Sequence, residues 1–324
     1  MQLLQRENIF IAGHRGLVGS AILRRLQEMG SPNLILRSRK SLDLTDQKAV
    51  SKFFSLEQPN VVILAAARVG GIAANSQYPA DFFRENLAIQ QNIITAAQEN
   101  GVKKLLFFGS NCAYPANIAM PLMEEILLGG APERTNRSFA IAKLAGIEYC
   151  RAVNQQFGLK YFCVMPASTF GPGDNFDPER SHVIAGLIRR IHKAKMQSKP
   201  SVVIWGSGRP IREFIFSDDL AEASIFLLSN LDQSWEEIFP TDSPPIINVG
   251  AGRGISIDDL ARQVKKTVGF KGELHYDMTR PDGVAEKVLD VGKMSLLSWP
   301  GPKTNLQTGL AIAYKDYLQR FGCD

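Results

Sequence analysis

Through its first 170 residues the chain alternates short apolar runs with longer stretches of helical spacing. "NIFIAG" (8–13) is an apolar run of strand type, and "LVGSAILRRLQEMG" (17–30) repeats apolar residues at helical spacing until Gly30. "NLILRS" (33–38) reads as the next strand and "DQKAVSKFFSLEQ" (46–58) as a helix. "NVVILAAA" (60–67) is a strand, followed by a long helix through "DFFRENLAIQQNIITAAQENG" (81–101). "KKLLFFGS" (103–110) is a strand, "AIAKLAGIEYCRAVNQQFG" (140–158) a helix, and "YFCVMPASTFGP" (161–172) a strand leaving into a Gly/Pro loop. Strand and helix alternating through short connections predict an α/β fold, a doubly wound parallel sheet of Rossmann type.

From about residue 171 the pattern loosens. "GPGDNFDPERSH" (171–182) is a polar loop, and "VIAGLIRRIHKAKM" (183–196) an amphipathic helix with a basic face. Short strands and helices such as "SIDDLARQVKKTVG" (256–269) follow. This predicts a smaller, mixed α/β substrate lobe over the carboxyl edge of the sheet. The expected division gives residues 1–170, about 213–252 and 284–298 to the dinucleotide-binding domain. The lobe then takes about 171–212, 253–283 and 299–324. No internal repeat stands out.

Composition narrows the classes. Hydrophobic residues make up 45% and charged residues 21% of 324, the balance of a soluble globular enzyme. The net charge of +5 is spread along the chain, which argues against nucleic acid and suits a pocket for a small anion. The four cysteines (112, 150, 163, 323) form no CxxC pair, so no metal site is expected. The start, "MQLLQRENIFIAG", does not read as a signal peptide, and no apolar stretch has membrane-spanning length. The expectation is a cytoplasmic protein with no membrane partner.

Gly13, Gly16 and Gly19 lie between the first strand and the first helix. A turn without Cβ atoms lets backbone approach a pyrophosphate, and the helix start offers free N–H groups. Alone the spacing fits any tight turn; in the first βα unit it predicts a dinucleotide. After the second strand stand Arg37, Arg39 and Lys40, with Arg15 in the glycine turn, where an acidic residue would meet a free ribose hydroxyl. Cations suit a 2′-phosphate, hence NADP(H), with Arg37 the first-choice contact; the plainer reading is a solvated basic turn. His14, in the same turn, is expected in local packing or against the cofactor.

Ser110 and Cys112 follow a strand end, where doubly wound sheets carry their chemistry. About thirty residues on, "FAIAK" puts Phe139 and Lys143 one helical turn apart. Singly, Ser110 is a turn residue, Cys112 a small buried hydrophobe and Lys143 a surface lysine; together they form a catalytic pattern.

With "AGHRGLVGSAI", "AAARVGGIAAN", "YPADFFRENL", "GSNCAYP", "AIAK", "NFDPERSHVI", "WGSGRPIREF", "DDLAEAS" and "RPDG", the chain resembles the extended short-chain dehydrogenase/reductases over nearly its whole length. More narrowly, it resembles those that take GDP-4-keto-6-deoxy-D-mannose to GDP-L-fucose by 3,5-epimerisation and NADPH-dependent 4-keto reduction. The resemblance implies proton transfers by Cys112 and His182, and reduction served by Ser110, Lys143 and a Tyr whose place Phe139 holds. It implies cofactor contacts at Gly13, Arg15, Gly16, Leu17, Val18, Gly19, Arg37, Ala65, Ala66, Lys143, Pro166 and His182. It implies GDP-sugar contacts at Asn175, Arg190, Trp205, Arg212 and Lys287, with Arg280 beside them. Glu286 departs from the basic residue often found before that lysine. Cys150, Cys163 and Cys323 match no motif and are expected to be structural, His192 and His275 superficial.

Phe139 lacks the hydroxyl that would protonate the C4 oxygen, so reduction is expected to be impaired while both ligands still bind. It reads as a Tyr→Phe replacement of the kind made to trap a complex. The alternatives are a natural chain with another donor (Tyr114 or water), an epimerase that has lost reduction, or a silent nucleotide-sugar-binding relative. Related GDP-4-keto heptoses and dideoxy sugars are alternative substrates. The resemblance also implies a homodimer, through a four-helix bundle of the 81–101 and 140–158 helices.

Overall fold

The computed structural model describes residues 7–280 and 282–322. Residues 1–6, Cys323 and Pro281 of the "RPDG" run lie outside the described residues. The strands are β1 (Ile9–Ala12), β2 (Leu34–Ile35), β3 (Val61–Leu64), β4 (Lys104–Phe108), β5 (Lys160–Pro166), β6 (Ser168–Phe170), β7 (Ser201–Trp205), β8 (Ile211–Arg212), β9 (Phe214–Phe216), β10 (Ile246–Val249), β11 (Ile255–Ser256), β12 (Glu273–Asp277) and β13 (Glu286–Lys287). The helices are α1 (Leu17–Glu28), α2 (Gln47–Glu57), α3 (Ile72–Gln77), α4 (Pro79–Glu99), α5 (Arg137–Phe157), α6 (Val183–Met196), α7 (Ser217–Asn230), α8 (Trp235–Ile238), α9 (Ile257–Val268), α10 (Gly292–Leu296) and α11 (Leu306–Phe321).

Six parallel strands form the main sheet in the order β10-β5-β4-β3-β1-β2. Strands β1 and β3 are buried along their whole length and read as unbroken apolar runs, as a sheet covered on both faces requires. The order reverses between β1 and β3, which opens a crevice at their carboxyl ends. The expected strand 33–38 is only two residues long, at the half-buried edge. The expected strand 161–172 breaks at Ala167, and its second part, β6, leaves the main sheet to pair with β9.

Two buried apolar clusters follow from this path. One surrounds the main sheet and draws on residues from Ile9 to Met294. The other packs α6, α9 and α11 together and draws on residues from Phe170 to Tyr317. The chain passes between them repeatedly: Ile215 belongs to the first and its neighbour Phe216 to the second. His192, expected at the surface, is buried in the second cluster, and its Nδ1 lies 2.9 Å from the Tyr314 hydroxyl. It sits one position after Ile191 on the apolar stripe of α6, so the helix carries it inward. Among the described residues, no helix is long and apolar enough to cross a membrane.

Candidate active site

The crevice between β1 and β3 is closed to side chains. Gly13 has φ +89, and a Cβ there would stand 2.6 Å from the Ala66 nitrogen. A Cβ on Gly19 would stand 2.2 Å from the Gly13 carbonyl oxygen. Glycine is therefore required at both positions for the turn to lie against Ala65 and Ala66. Gly16 precedes α1 without a side-chain cap, so the amides of Leu17 and Val18 in its first turn are free for an anion. This cradle fits a dinucleotide pyrophosphate. Arg15 is exposed beside it. Burial and Arg15 together depress the His14 pKa, which keeps this turn from gaining a second charge. Arg37 lies beyond the end of β2, ion-paired with Glu57 and stacked over Phe53. The first-choice phosphate contact is thus held by its own carboxylate, whereas Lys40 and Arg39, the latter 3.7 Å from Glu85, are exposed.

At the end of β4 the chain turns through Ser110, which opens a 3-10 turn over Asn111–Ala113. The Ser110 Oγ accepts the Cys112 N–H at 3.2 Å, so its own proton is available to a substrate oxygen. The turn packs against α5, which carries Phe139 and Lys143 one turn apart. Lys143 is 4% exposed, and its Nζ donates to the Phe108 carbonyl at 2.7 Å. Nζ also sits 4.5 Å from the Phe107 ring centre and 5.8 Å from that of Phe139. Burial pushes the Lys143 pKa down to about 7, against a weak opposing pull from Cys163.

Phe139 is 8% exposed and meets Phe82 edge-on, ring centres 6.4 Å apart. Ala74 and Cys112 pack into the same small cluster. Ser110, Cys112, Phe139 and Lys143 are therefore brought together at the carboxyl edge of the sheet. Tyr114 is not part of this group. It is fully buried, and its hydroxyl donates to the Asn248 Oδ1 at 2.7 Å, so it is no substitute proton donor.

His182 starts α6, on the second cluster, and is exposed to solvent. It is nonetheless closely surrounded by protein, and that desolvation depresses its pKa. One segment joins it to the Phe139 side. Gly71 donates its N–H to the Arg180 carbonyl at 3.3 Å, and the Asn75 Nδ2 braces the Gly70 and Gly71 carbonyls at 2.7 and 3.1 Å. Asn75 directly follows Ala74, so the loop holding His182 and the cluster holding Phe139 share one support. Neither Gly71 nor Asn75 was legible as functional; "GGIAAN" shows only small and apolar residues before one amide.

The remaining candidates lie on several separate segments. The Trp205 ring is 54% exposed, with the guanidinium carbons of Arg190 and Arg280 lying 5.3 and 5.0 Å from its centre. Arg212 and Lys287 are registered neighbours on β8 and β13. Burial lowers the Arg212 pKa, while Glu133, Cys112 and Asp282 lie close enough to pull the other way. Arg212 thus stands electrostatically near the Cys112 turn. Asn175 lies exposed in the 171–182 loop, and its Oδ1 accepts the Asp177 N–H at 3.0 Å. Pro166 ends β5 at the same edge of the main sheet. Cys150 and Cys163 are buried free thiols behind Lys143.

A glycine cradle at a sheet reversal, with Ser, Cys and Lys gathered beside it, defines a nucleotide-dependent enzyme that works on a carbonyl compound. The chain belongs to the NAD dependent epimerase/dehydratase family, whose model matches residues 9–250. Within it the chain is 49% identical to GDP-L-fucose synthase 1 of Arabidopsis thaliana over 314 residues, 96% of this chain and 93% of that protein. It is 47% identical to the GDP-L-fucose synthase of Escherichia coli (strain K12) over 319 residues, 98% of each. Among solved structures it resembles a GDP-mannoheptose C4 reductase from Campylobacter jejuni with NADP bound. There the TM-score is 0.87 at 37% identity, covering 97% of this chain and 98% of the other.

Proposed function

We propose that this chain acts on GDP-4-keto-6-deoxy-D-mannose as an NADPH-dependent 3,5-epimerase/4-reductase of the GDP-L-fucose synthase type, with its reductive half disabled at Phe139. The gathering of Ser110, Cys112 and Lys143 around a ring without a hydroxyl carries the reading. The C4 ketone acidifies the protons on C3 and C5, because the resulting anion spreads onto oxygen. Cys112 and His182 remove and return protons on opposite faces, and the Ser110 hydroxyl donates to the oxyanion. Gly13, Gly16, Gly19, Arg15 and the first turn of α1 would hold NADPH, which would supply hydride for C4. Lys143 holds the ribose side of that site. The C4 oxygen then needs a proton, and Phe139 has none to give.

Arg190, Trp205, Arg280, Arg212 and Lys287 hold the GDP portion, with Asn175 at the rim. Guanidinium groups pair with diphosphate, and the exposed indole offers a face to a ring. The two lobes of this reading follow the two apolar clusters. A reducing cytoplasm belongs to it as well, since Cys112 works as a free thiol and is one here. A homodimer through α4 and α5 is supported by Phe83 and Ile141, large apolar side chains exposed on those helices. The Campylobacter structure supports a second reading on a GDP-4-keto heptose.

The test mixes the chain with GDP-4-keto-6-deoxy-D-mannose in deuterated water and follows deuterium at C3 and C5. Incorporation that is lost in Cys112→Ser and His182→Gln supports the proposal. No incorporation by the unaltered chain, from this or a heptose substrate, would reduce it to a silent binding protein.

A further inference from the structure

Glu213 follows Arg212 directly and is 1% exposed. Its Oε1 accepts the Gly252 N–H at 2.7 Å and its Oε2 accepts the Leu289 N–H at 2.8 Å. Its backbone carbonyl accepts the Ser168 N–H at 3.1 Å. No lysine or arginine pairs with it among the described residues. A buried carboxylate balanced only by backbone N–H groups is costly, and burial does push its pKa up against those bonds. The segments it ties are those that bring Arg212 and Lys287 together: Leu289 lies two residues beyond Lys287, whose register partner is Arg212. Registered neighbours leave a sheet on the same face. A Cβ on Gly250 would stand 2.2 Å from Glu213 Oε1, so the carboxylate keeps this place only because residue 250 has no side chain.

We propose that Glu213 is a positioning residue: it locks Arg212 and Lys287 side by side and so sets affinity for the nucleotide diphosphate without touching it. This rests on the GDP-sugar reading of the second lobe. Glutamine would offer one acceptor oxygen and turn an amide N–H toward a backbone N–H, leaving a donor unpaired.

The test is calorimetric titration of the full chain with GDP and, separately, with NADP⁺. It compares the unaltered chain, Glu213→Gln, Gly250→Ala, Arg212→Ala and the Arg212→Ala/Glu213→Gln double variant. Glu213→Gln is expected to weaken GDP about tenfold, to leave NADP⁺ binding unchanged, and to cost less on top of Arg212→Ala, where only Lys287 is left to misplace, than it costs alone. Gly250→Ala, which displaces the carboxylate but keeps its charge, is expected to reproduce the GDP loss and carries the test should Glu213→Gln fail to fold. If Arg212→Ala leaves GDP affinity unchanged, the GDP-sugar reading of the lobe fails. If Arg212→Ala weakens GDP while Glu213→Gln and Gly250→Ala do not, that reading stands and the Glu213 proposal falls. Additive losses in the double variant, equal losses of GDP and NADP⁺, or loss of the fold in both Glu213→Gln and Gly250→Ala would make Glu213 a general support and overturn the proposal.

Discussion

Phe139→Tyr adds one oxygen to a ring whose place is already set by Phe82, Ala74 and Cys112. Nothing else in the gathered group changes, so the variant isolates the proton that the C4 oxygen needs. A positioned general acid contributes roughly 10²- to 10⁴-fold in rate, or about 3–5 kcal/mol of barrier. The added hydroxyl enters a site only 8% exposed, so it also needs a partner. Left unpaired in the free protein it would cost about 1–3 kcal/mol of stability. The expected signature is therefore a gain in NADPH oxidation of at least about a hundredfold, with a slightly lower melting temperature. Deuterium entry at C3 and C5, in the absence of NADPH, should be similar in both proteins, because Cys112 and His182 are untouched. NADPH absorbance and mass spectrometry of the sugar read the two halves separately. If the unaltered chain oxidises NADPH as fast as Phe139→Tyr, a replacement donor exists and the role given to position 139 is wrong.

Four further outcomes are expected. Lys143→Met should raise the melting temperature. The folded amine loses its proton near pH 7 and the unfolded one near 10.5, so its cost is full below pH 7 and fades as pH rises; the gain from Met should shrink likewise, from an upper limit of about 5 kcal/mol. A gain that is flat from pH 6 to 10 would contradict that assignment. Asp174→Asn should stabilise above pH 7 and be neutral near pH 4, because burial raises the Asp174 pKa to about 7 and the charged form is the costly one; melting curves at pH 4 and 8 decide it. Gly13→Ala should abolish NADPH binding, measured by fluorescence, and destabilise by about 1–3 kcal/mol through its positive φ alone. Arg37→Ala should weaken NADPH more than NADH; equal weakening would mean that Glu57 keeps Arg37 from the 2′-phosphate and that Arg39 and Lys40 read it instead.

The parallel sheet was legible because its central strands are buried on both faces and therefore read as unbroken apolar runs between helices of clear period. β10 was not singled out: Asn248 interrupts the short apolar run between Pro245 and Gly250. Ser110, Cys112, Phe139 and Lys143 could be found because two local spacings, strand end to turn and one helical turn, fix them. The other half of the site depends on contacts far apart in sequence. Gly71 meets Arg180, and Glu213 meets Gly252 and Leu289, and no local pattern announces either. Glu213 left one trace, a carboxylate in the buried phase of a strand-like run. Tyr114 was tempting for its nearness to Ser110 in sequence, but the turn directs it into the core, where its hydroxyl donates a hydrogen bond to Asn248.

The order of strands also governs how the chain leaves the ribosome. Strand β5 ends at residue 166, and the strand that covers its free edge, β10, begins at 246. The 79 residues between them take about 4–16 s to emerge at typical synthesis rates. For that time five strands can pair while the last of them, carrying Tyr161, Phe162, Cys163 and Val164, presents an unpaired apolar edge. Residues 167–245, which emerge meanwhile, build part of the second cluster but cannot finish it before α11. Each nascent copy thus carries an adhesive strand through much of its own synthesis, and copies crowded on one message are the situation in which this protein is most exposed to misassembly.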